Sequence, residues 1–259
     1  MDALLAEIMR SLGFLTRLPI SPTWFEGHNG SLAENARVFP LAGVLIALPA
    51  AFVLVVASEL NLPPVIAALL AIGVLAAITG ALHEDGLADV ADGFFGGATE
   101  KRRLEIMKDS RIGTFGGLAL ILSVGLRTLL LSALAERTGP GYAALALIGT
   151  EAASRAIMVG MWHKLPSVRP GGVADAAGAP DETAAYSALL TGFFALIVTY
   201  VPSGGIGGLL VAILLCGAAS FAFANLCRDK IGGQTGDTLG AAQQIAAVTL
   251  LIGLVMMAG

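Results

Sequence analysis

Charge is what this sequence has least of. Asp, Glu, Lys and Arg make up 13% of its 259 residues, about half of the ~25% usual in soluble domains. Hydrophobic residues make up 56% and the mean hydropathy is +0.82. That leaves too little polar surface to cover a water-soluble fold, so soluble enzyme classes are excluded and a polytopic membrane protein is indicated. Cysteine is scarce too. Cys216 and Cys227 lie in one apolar segment, ~16 Å apart along a helix and out of disulfide reach. With no CxxC pair, and with His28, His83 and His163 scattered, neither a thiolate-zinc nor a histidine metal site is indicated. An apolar leader is missing as well: Asp2, Glu7, Arg10 and Arg17 interrupt residues 1–18, so no cleavable signal peptide is expected.

What is present is a succession of apolar segments, near 38–58, 63–82, 113–135, 141–162, 186–202, 205–227 and 239–258. Most reach the ~20 residues needed to cross a hydrocarbon core. The expectation is one all-α bundle over 1–259 with about seven transmembrane helices. Ahead of them, Leu4, Ile8, Leu12 and Leu15 repeat at helical spacing opposite Glu7, Arg10 and Arg17, which predicts an amphipathic interfacial helix over 1–18. Pro19 and Pro22 end it. Asn29-Gly30 marks a turn, and Ser31 with Glu34 has the form of a capping box. Gly-x-x-Gly at 204–207 permits close helix packing, leaving a homo-oligomer open.

With a cytoplasmic N-terminus, twelve of the fifteen Lys and Arg fall on the inner side. Three polar loops, 83–112, 163–185 and 228–238, then face the cytoplasm together. Arg137 lies outside; Arg127 and Arg155 lie within spans. Ionisable groups at such depth face the bundle interior or a wet cavity. Arg155, with Glu151 one turn away, is thus either half of a structural ion pair or a group at a site. Arg127 has the same two readings without a local partner.

The chemistry concentrates in HEDGLADVADGFFGG, residues 83–97. Asp85, Asp89 and Asp92 recur at i, i+4 and i+7, within ~60° of arc on a helix. Like charges on one face destabilise a helix unless a cation sits among them. EKRRLEIMKDSRIGTFGG at 100–117 sets bases beside these acids, which suggests a phosphorylated substrate held through Mg2+. Lys108 and Arg111, followed by Gly113, Gly116 and Gly117, are the candidate anion binders; Lys101–Arg103 serve equally as positive-inside anchors. Glu84, off the stripe, flanks the cation, and His83 is read as interfacial. In CRDKIGGQTGDTLGA, 227–241, Gly232 and Gly233 leave backbone N–H groups accessible where a helix begins. Asp237 is either that helix's cap or a fourth carboxylate. LPSVRPGGVADAAGAPDE, rich in Pro, Gly and Ala, reads as a mobile lid or substrate platform, with Arg169 its cation.

EDGLADVADG at 84–93, RLEIMKDSRIGTFG at 103–116 and KIGGQTGDTLGA at 230–241 resemble the cobalamin synthase family, the adenosylcobinamide-GDP ribazoletransferases. FLTRLP at 14–19, FPLAG at 39–43 and SR at 154–155 are similar too, in the family's order. The resemblance implies an inner-membrane transferase for substituted phosphate groups that joins adenosylcobinamide-GDP to α-ribazole, or its 5′-phosphate, and releases GMP with Mg2+ present. Under it, Asp85, Asp89 and Asp92, with Glu84 beside them, are assigned to Mg2+. One of the three, or Asp237, assists deprotonation. Lys108, Arg111, Arg155 and Lys230 neutralise the diphosphate beside Gly232 and Gly233. A fainter likeness to the CDP-alcohol phosphotransferases rests on Asp89-x-x-Asp92-Gly93. It breaks at Gly96-Gly97, where that motif has Ala-Arg, and lacks the later aspartate pair. The alternatives are therefore a CDP-alcohol-type phospholipid synthase, or an ion-coupled transporter. The latter is disfavoured by the absence of an internal repeat and by carboxylates clustered at one membrane face.

Overall fold

The computed structural model describes residues 3–28 and 30–258; Asn29, half of the expected turn, lies outside them. The described residues form ten α-helices and, apart from one isolated bridge, no β-structure. The chain is an all-α, multi-pass membrane protein. The first helix, α1 (Ala3–Leu15), is amphipathic as expected. It buries Leu12 and Leu15, while Glu7 pairs with Arg37 at 2.7 Å and Arg10 donates to Asn35 at 3.1 Å. The expected capping box does not form. Leu32 precedes the 3₁₀ turn Ala33–Val38, and the Ser31 hydroxyl donates to the Ala177 carbonyl instead.

Then come α2 (Phe39–Glu59) and α3 (Pro64–Thr79). Gly80 and Ala81 both adopt left-handed backbone, with φ of 64° and 56°, and the chain turns by 90° into α4 (Leu82–Gly96). A non-glycine residue in that region is uncommon, and here it marks the bend. The region expected as a polar loop, 83–112, is thus largely helical: α4 and then α5 (Glu100–Ile106). The long helices α6 (Thr114–Thr138) and α7 (Pro140–Lys164) follow, then the short α8 (Val173–Ala176). The next helix, α9 (Glu182–Ile231), has 50 residues, ~75 Å and more than twice a hydrocarbon core. It breaks at Gly205, where φ is 67° and ψ −174°, just after Pro202. Its two arms are the expected segments 186–202 and 205–227. The last helix is α10 (Gly236–Val255). Five helices are long and apolar enough to cross a membrane, or six when the bent α3–α4 pair is counted as one span, against the seven segments expected; two of those seven are the arms of the single helix α9.

Helix α7 is the axis of the bundle. Its apolar window is 78% buried, against 28% for α9. At its middle lies an ionic cluster that the apolar surroundings make costly to disturb. Arg127 of α6 bonds Glu84 of α4 at 3.0 Å and Glu151 of α7 at 2.7 Å, and Arg155 bonds Glu151 at 2.6 Å. Gln244 of α10 donates to Glu84 at 3.0 Å and accepts from Ser123 at 2.8 Å, while Gln243 donates to Ser154 at 2.9 Å. Arg127 is 1% exposed and Arg155 0%. Two guanidinium groups face two carboxylates, so the cluster carries no net charge. The open question about Arg155 and Arg127 is answered for a structural ion pair. Arg127's partners come from other helices, which is why no local partner is visible in sequence.

Removing one member of a buried pair leaves an uncompensated charge, at a cost of about 3–5 kcal/mol. Glu151→Ala, which strands Arg155 and leaves Arg127 with Glu84 alone, is expected to destabilise the protein by that amount in denaturant titrations in detergent. Glu136→Ala, at the exposed far end of α6, should stay within about 0.5 kcal/mol of wild type.

Candidate active site

The acidic stripe is on a helix, as its spacing predicts, and α4 packs against both α6 and α10. Two close approaches set its position. Gly86 of α4 lies against the backbone of Asp237, where a Cβ would stand 2.7 Å from the Asp237 carbonyl oxygen. One turn on, Gly240 of α10 lies against His83. Any side chain at Gly86 would drive the helices apart. This contact brings Asp237, some 150 residues later in sequence, to the acidic face of α4. Asp89 feels the charges of Asp237, Asp85 and Asp92, and against them that of Arg169. Asp85 is exposed, while Asp89 and Asp237 are half-buried.

Asp92 has a different duty. Its carboxylate accepts the backbone N–H groups of Gly113 at 2.7 Å and Gly116 at 2.9 Å, where α6 begins. Those are among the donors that a helix start leaves without intrahelical partners, and the helix dipole favours an anion there. Gly113 and Gly116 are in contact with this carboxylate, with no room for a Cβ. Of the glycines that follow Arg111, Gly113 and Gly116 thus serve Asp92.

The other polar loops close on the same end of the bundle. Arg103 donates to the Lys230 carbonyl at 2.9 Å. Ser167 and Gln234 form the one isolated parallel bridge among the described residues, secured by Gln234 N–H to the Pro166 carbonyl at 2.8 Å and Val168 N–H to the Gln234 carbonyl at 3.0 Å. Trp162 Nε1 donates to the Gly178 carbonyl at 2.9 Å. The 165–181 segment is therefore pinned at both ends, and of the two roles expected for it the platform is the one its bonds fit. It carries Arg169, whose Nη1 lies 2.8 Å from the Asp237 carboxylate, while its buried Nε and Nη2 have no hydrogen-bond partner. Arg169 is the residue that sequence reasoning passed over. Its signal was slight: a lone cation in a Pro/Gly/Ala loop.

Several expected site residues lie elsewhere. Glu84 points into the ionic cluster, bonded to Arg127 and Gln244, away from the aspartates. Arg155 is in the same cluster, bonded to Glu151. Arg111 is exposed and bonded to Asp109, whose carboxyl these hydrogen bonds pull down to about 2. Lys108 is exposed on the α5 side. Lys230 belongs to the last turn of α9, where a cation suits the helix dipole. Gly232, at φ 78°, ends α9 in left-handed backbone, and Gly233 packs on the Pro166 carbonyl. Asp237 is not the cap of α10; Thr235 is, in a reciprocal capping box with Thr238. Asp237 thereby keeps its carboxylate for the cluster.

What this set can do follows from its charge. Asp85, Asp89 and Asp237 are hard oxygen donors faced by a single guanidinium. Such an excess of negative charge suits a divalent cation, and Mg2+ in particular binds through one or two carboxylates together with substrate phosphates. Among the described residues no three His, Cys, Asp or Glu side chains are grouped so as to hold a metal ion by themselves.

A family model described as cobalamin-5-phosphate synthase matches residues 7–255. The chain is 55% identical over 255 residues to proteins named adenosylcobinamide-GDP ribazoletransferase from Brucella canis, Brucella suis and Brucella melitensis biotype 1. Each alignment covers 98% of this chain and 98% of the relative. No solved structure matches.

The two kinds of aspartate separate in a melting experiment. Asp92→Ala leaves two helix-start N–H groups without their acceptor and should cost about 1–3 kcal/mol. Asp89→Asn removes one charge from a like-charged group and should leave stability unchanged or raise it. Equal losses from both would contradict the division of labour.

Proposed function

Given that the chain belongs to the cobalamin-5-phosphate synthase family, we propose that it joins adenosylcobinamide-GDP to α-ribazole, or to its 5′-phosphate, and releases GMP. An enzyme of cobalamin assembly, a transferase built into a membrane, is what the family itself supplies; the substrates and the chemistry below are our reading. The observation that carries it is the convergence of Asp85, Asp89 and Asp237, faced by Arg169, where three polar loops meet. Phosphoryl transfer asks a protein mainly for positioning and charge neutralisation, and an acidic cluster beside an incompletely bonded guanidinium supplies both.

In this reading a ribose hydroxyl of the ribazole, one that a 5′-phosphate leaves free, attacks the phosphorus attached to cobinamide. A new P–O bond forms there as the P–O bond to GMP breaks. Asp237, paired with Arg169 and lining a cavity, receives the hydroxyl proton. The free Nε and Nη2 of Arg169 take up charge on the diphosphate and on the departing GMP. Asp85 and Asp89 would hold Mg2+, which supplies charge neutralisation at the phosphate oxygens. Asp92 anchors α4 and sets the other two in place. The concentration of Lys and Arg at this end of the bundle supports a cytoplasmic site in an inner membrane. The carboxylates' position at one end of the bundle weighs against a transporter, whose ion sites lie near the midplane.

The test is GMP release by the purified chain in liposomes, from adenosylcobinamide-GDP and α-ribazole. Release should require both acceptor and Mg2+, vanish with a chelator, and fall at least about 100-fold in Asp89→Asn and in Arg169→Ala. Transfer from CDP-diacylglycerol in place of adenosylcobinamide-GDP would overturn the assignment in favour of a phospholipid synthase.

A further inference from the structure

Two motifs remain unused by this chemistry, FLTRLP near residue 14 and FPLAG near residue 39. In the structure they meet. Phe14 and Phe39 stack with ring centroids 6.3 Å apart and an interplanar angle of 23°; Phe39 and Trp162 are 6.1 Å apart at 36°. The three rings and Met158 line a cavity of ≈ 210 Å³ that Asp85, Asp237 and Arg169 also line. His83 of α4 stands among them. It is 3% exposed, lines the cavity, and its Nε2 has no hydrogen-bond partner. A buried ring nitrogen without a partner costs free energy unless a ligand supplies one.

Resting on the reaction proposed above, we infer that this cavity holds the aromatic base of the acceptor nucleoside: a flat, weakly polar bicycle stacked against the Phe14–Phe39–Trp162 wall. Its unsubstituted ring nitrogen accepts a hydrogen bond from His83 Nε2–H, and its ribose is directed to Asp237. Size excludes the corrin macrocycle, because the cavity is smaller than the ~300–1,000 Å³ of drug-sized ligand sites. Polarity excludes the guanine of the donor. Its edge presents several donors and acceptors, which this apolar wall would leave unpaired. A benzimidazole-type base presents one acceptor nitrogen, and His83 has an unpartnered ring nitrogen to meet it. Burying the base here also brings the nucleoside's attacking ribose hydroxyl to the carboxylates in a fixed orientation, which is worth more to the reaction than the binding itself.

The experiment uses the full chain in liposomes with Trp24→Phe, which leaves Trp162 as the only tryptophan; Trp24 lies on a separate 3₁₀ turn. Titration with α-ribazole alone, without donor or Mg2+, should change Trp162 emission saturably, and guanosine should not. In steady-state assays Phe39→Leu and His83→Ala should each raise the KM for α-ribazole about tenfold, the scale of one base–aromatic stack or one buried hydrogen bond. The KM for adenosylcobinamide-GDP should stay within about twofold. His83→Gln, whose amide still donates, should recover most of the loss, which a purely structural role would not predict. A response to guanosine, or a parallel rise in both KM values, would hand the cavity to the donor and overturn the inference. A silent Trp162 in an enzyme that transfers normally sinks the inference alone. Saturable α-ribazole binding without any transfer sinks the proposed reaction and leaves the cavity assignment standing.

Discussion

The neutral ionic cluster of Glu84, Arg127, Glu151 and Arg155 is the constraint on which the rest of the arrangement depends. Charges inside an apolar bundle are tolerated only when each finds its opposite, and here the partners come from three helices, with Gln243 and Gln244 contributed by a fourth. Glu84 is the member that matters for position. It ties the start of α4 to α6 and α10, and α4 carries the acidic stripe. Because Glu84 cannot leave Arg127 without stranding a buried charge, the register of α4 along its neighbours is set.

Around that anchor the fold uses carboxylates for two opposite purposes within one short stretch. Glu84 and Asp92 are neutralised by the protein itself, one by a guanidinium and the other by the open N–H groups at the start of α6. Asp85 and Asp89 lie between them and, with Asp237, remain in excess over the facing Arg169. A helix carrying four acids in nine positions is thus held by its first and last while the middle pair stays available for chemistry. The close approach at Gly86 and Gly240 completes the arrangement by joining Asp237 to that pair.

The same end of the bundle juxtaposes strongly charged and strongly apolar surface. On one side are three carboxylates and an arginine with two unengaged nitrogens; on the other is a stack of three aromatic rings. A membrane protein gains nothing from an aromatic-lined void facing its polar loops unless something fills it. The pinned 165–181 segment forms part of both surfaces, contributing Arg169 to the charged side and its backbone to the hydrogen bond of Trp162.

The sequence by itself determined the membrane class, the number and bounds of the apolar segments, and the helical character of the acidic stripe. Those follow from hydropathy over ~20 residues and from a 3.6-residue period, both local properties of the chain. It also brought the three polar loops to one end, through the distribution of Lys and Arg. Only the tertiary structure decided which charged residue does what. Glu84, adjacent to a motif and plausible as a site residue, is claimed by Arg127 and Gln244 from distant helices, and Arg155 by Glu151 one turn away, itself bonded to Arg127 of another helix. Gly113 and Gly116 attend Asp92 rather than a substrate, and Arg169, inconspicuous in its loop, turns out to face Asp237. A charge's role depends on which opposite charge lies within ~4 Å, and that distance is a product of helix packing that no local pattern encodes.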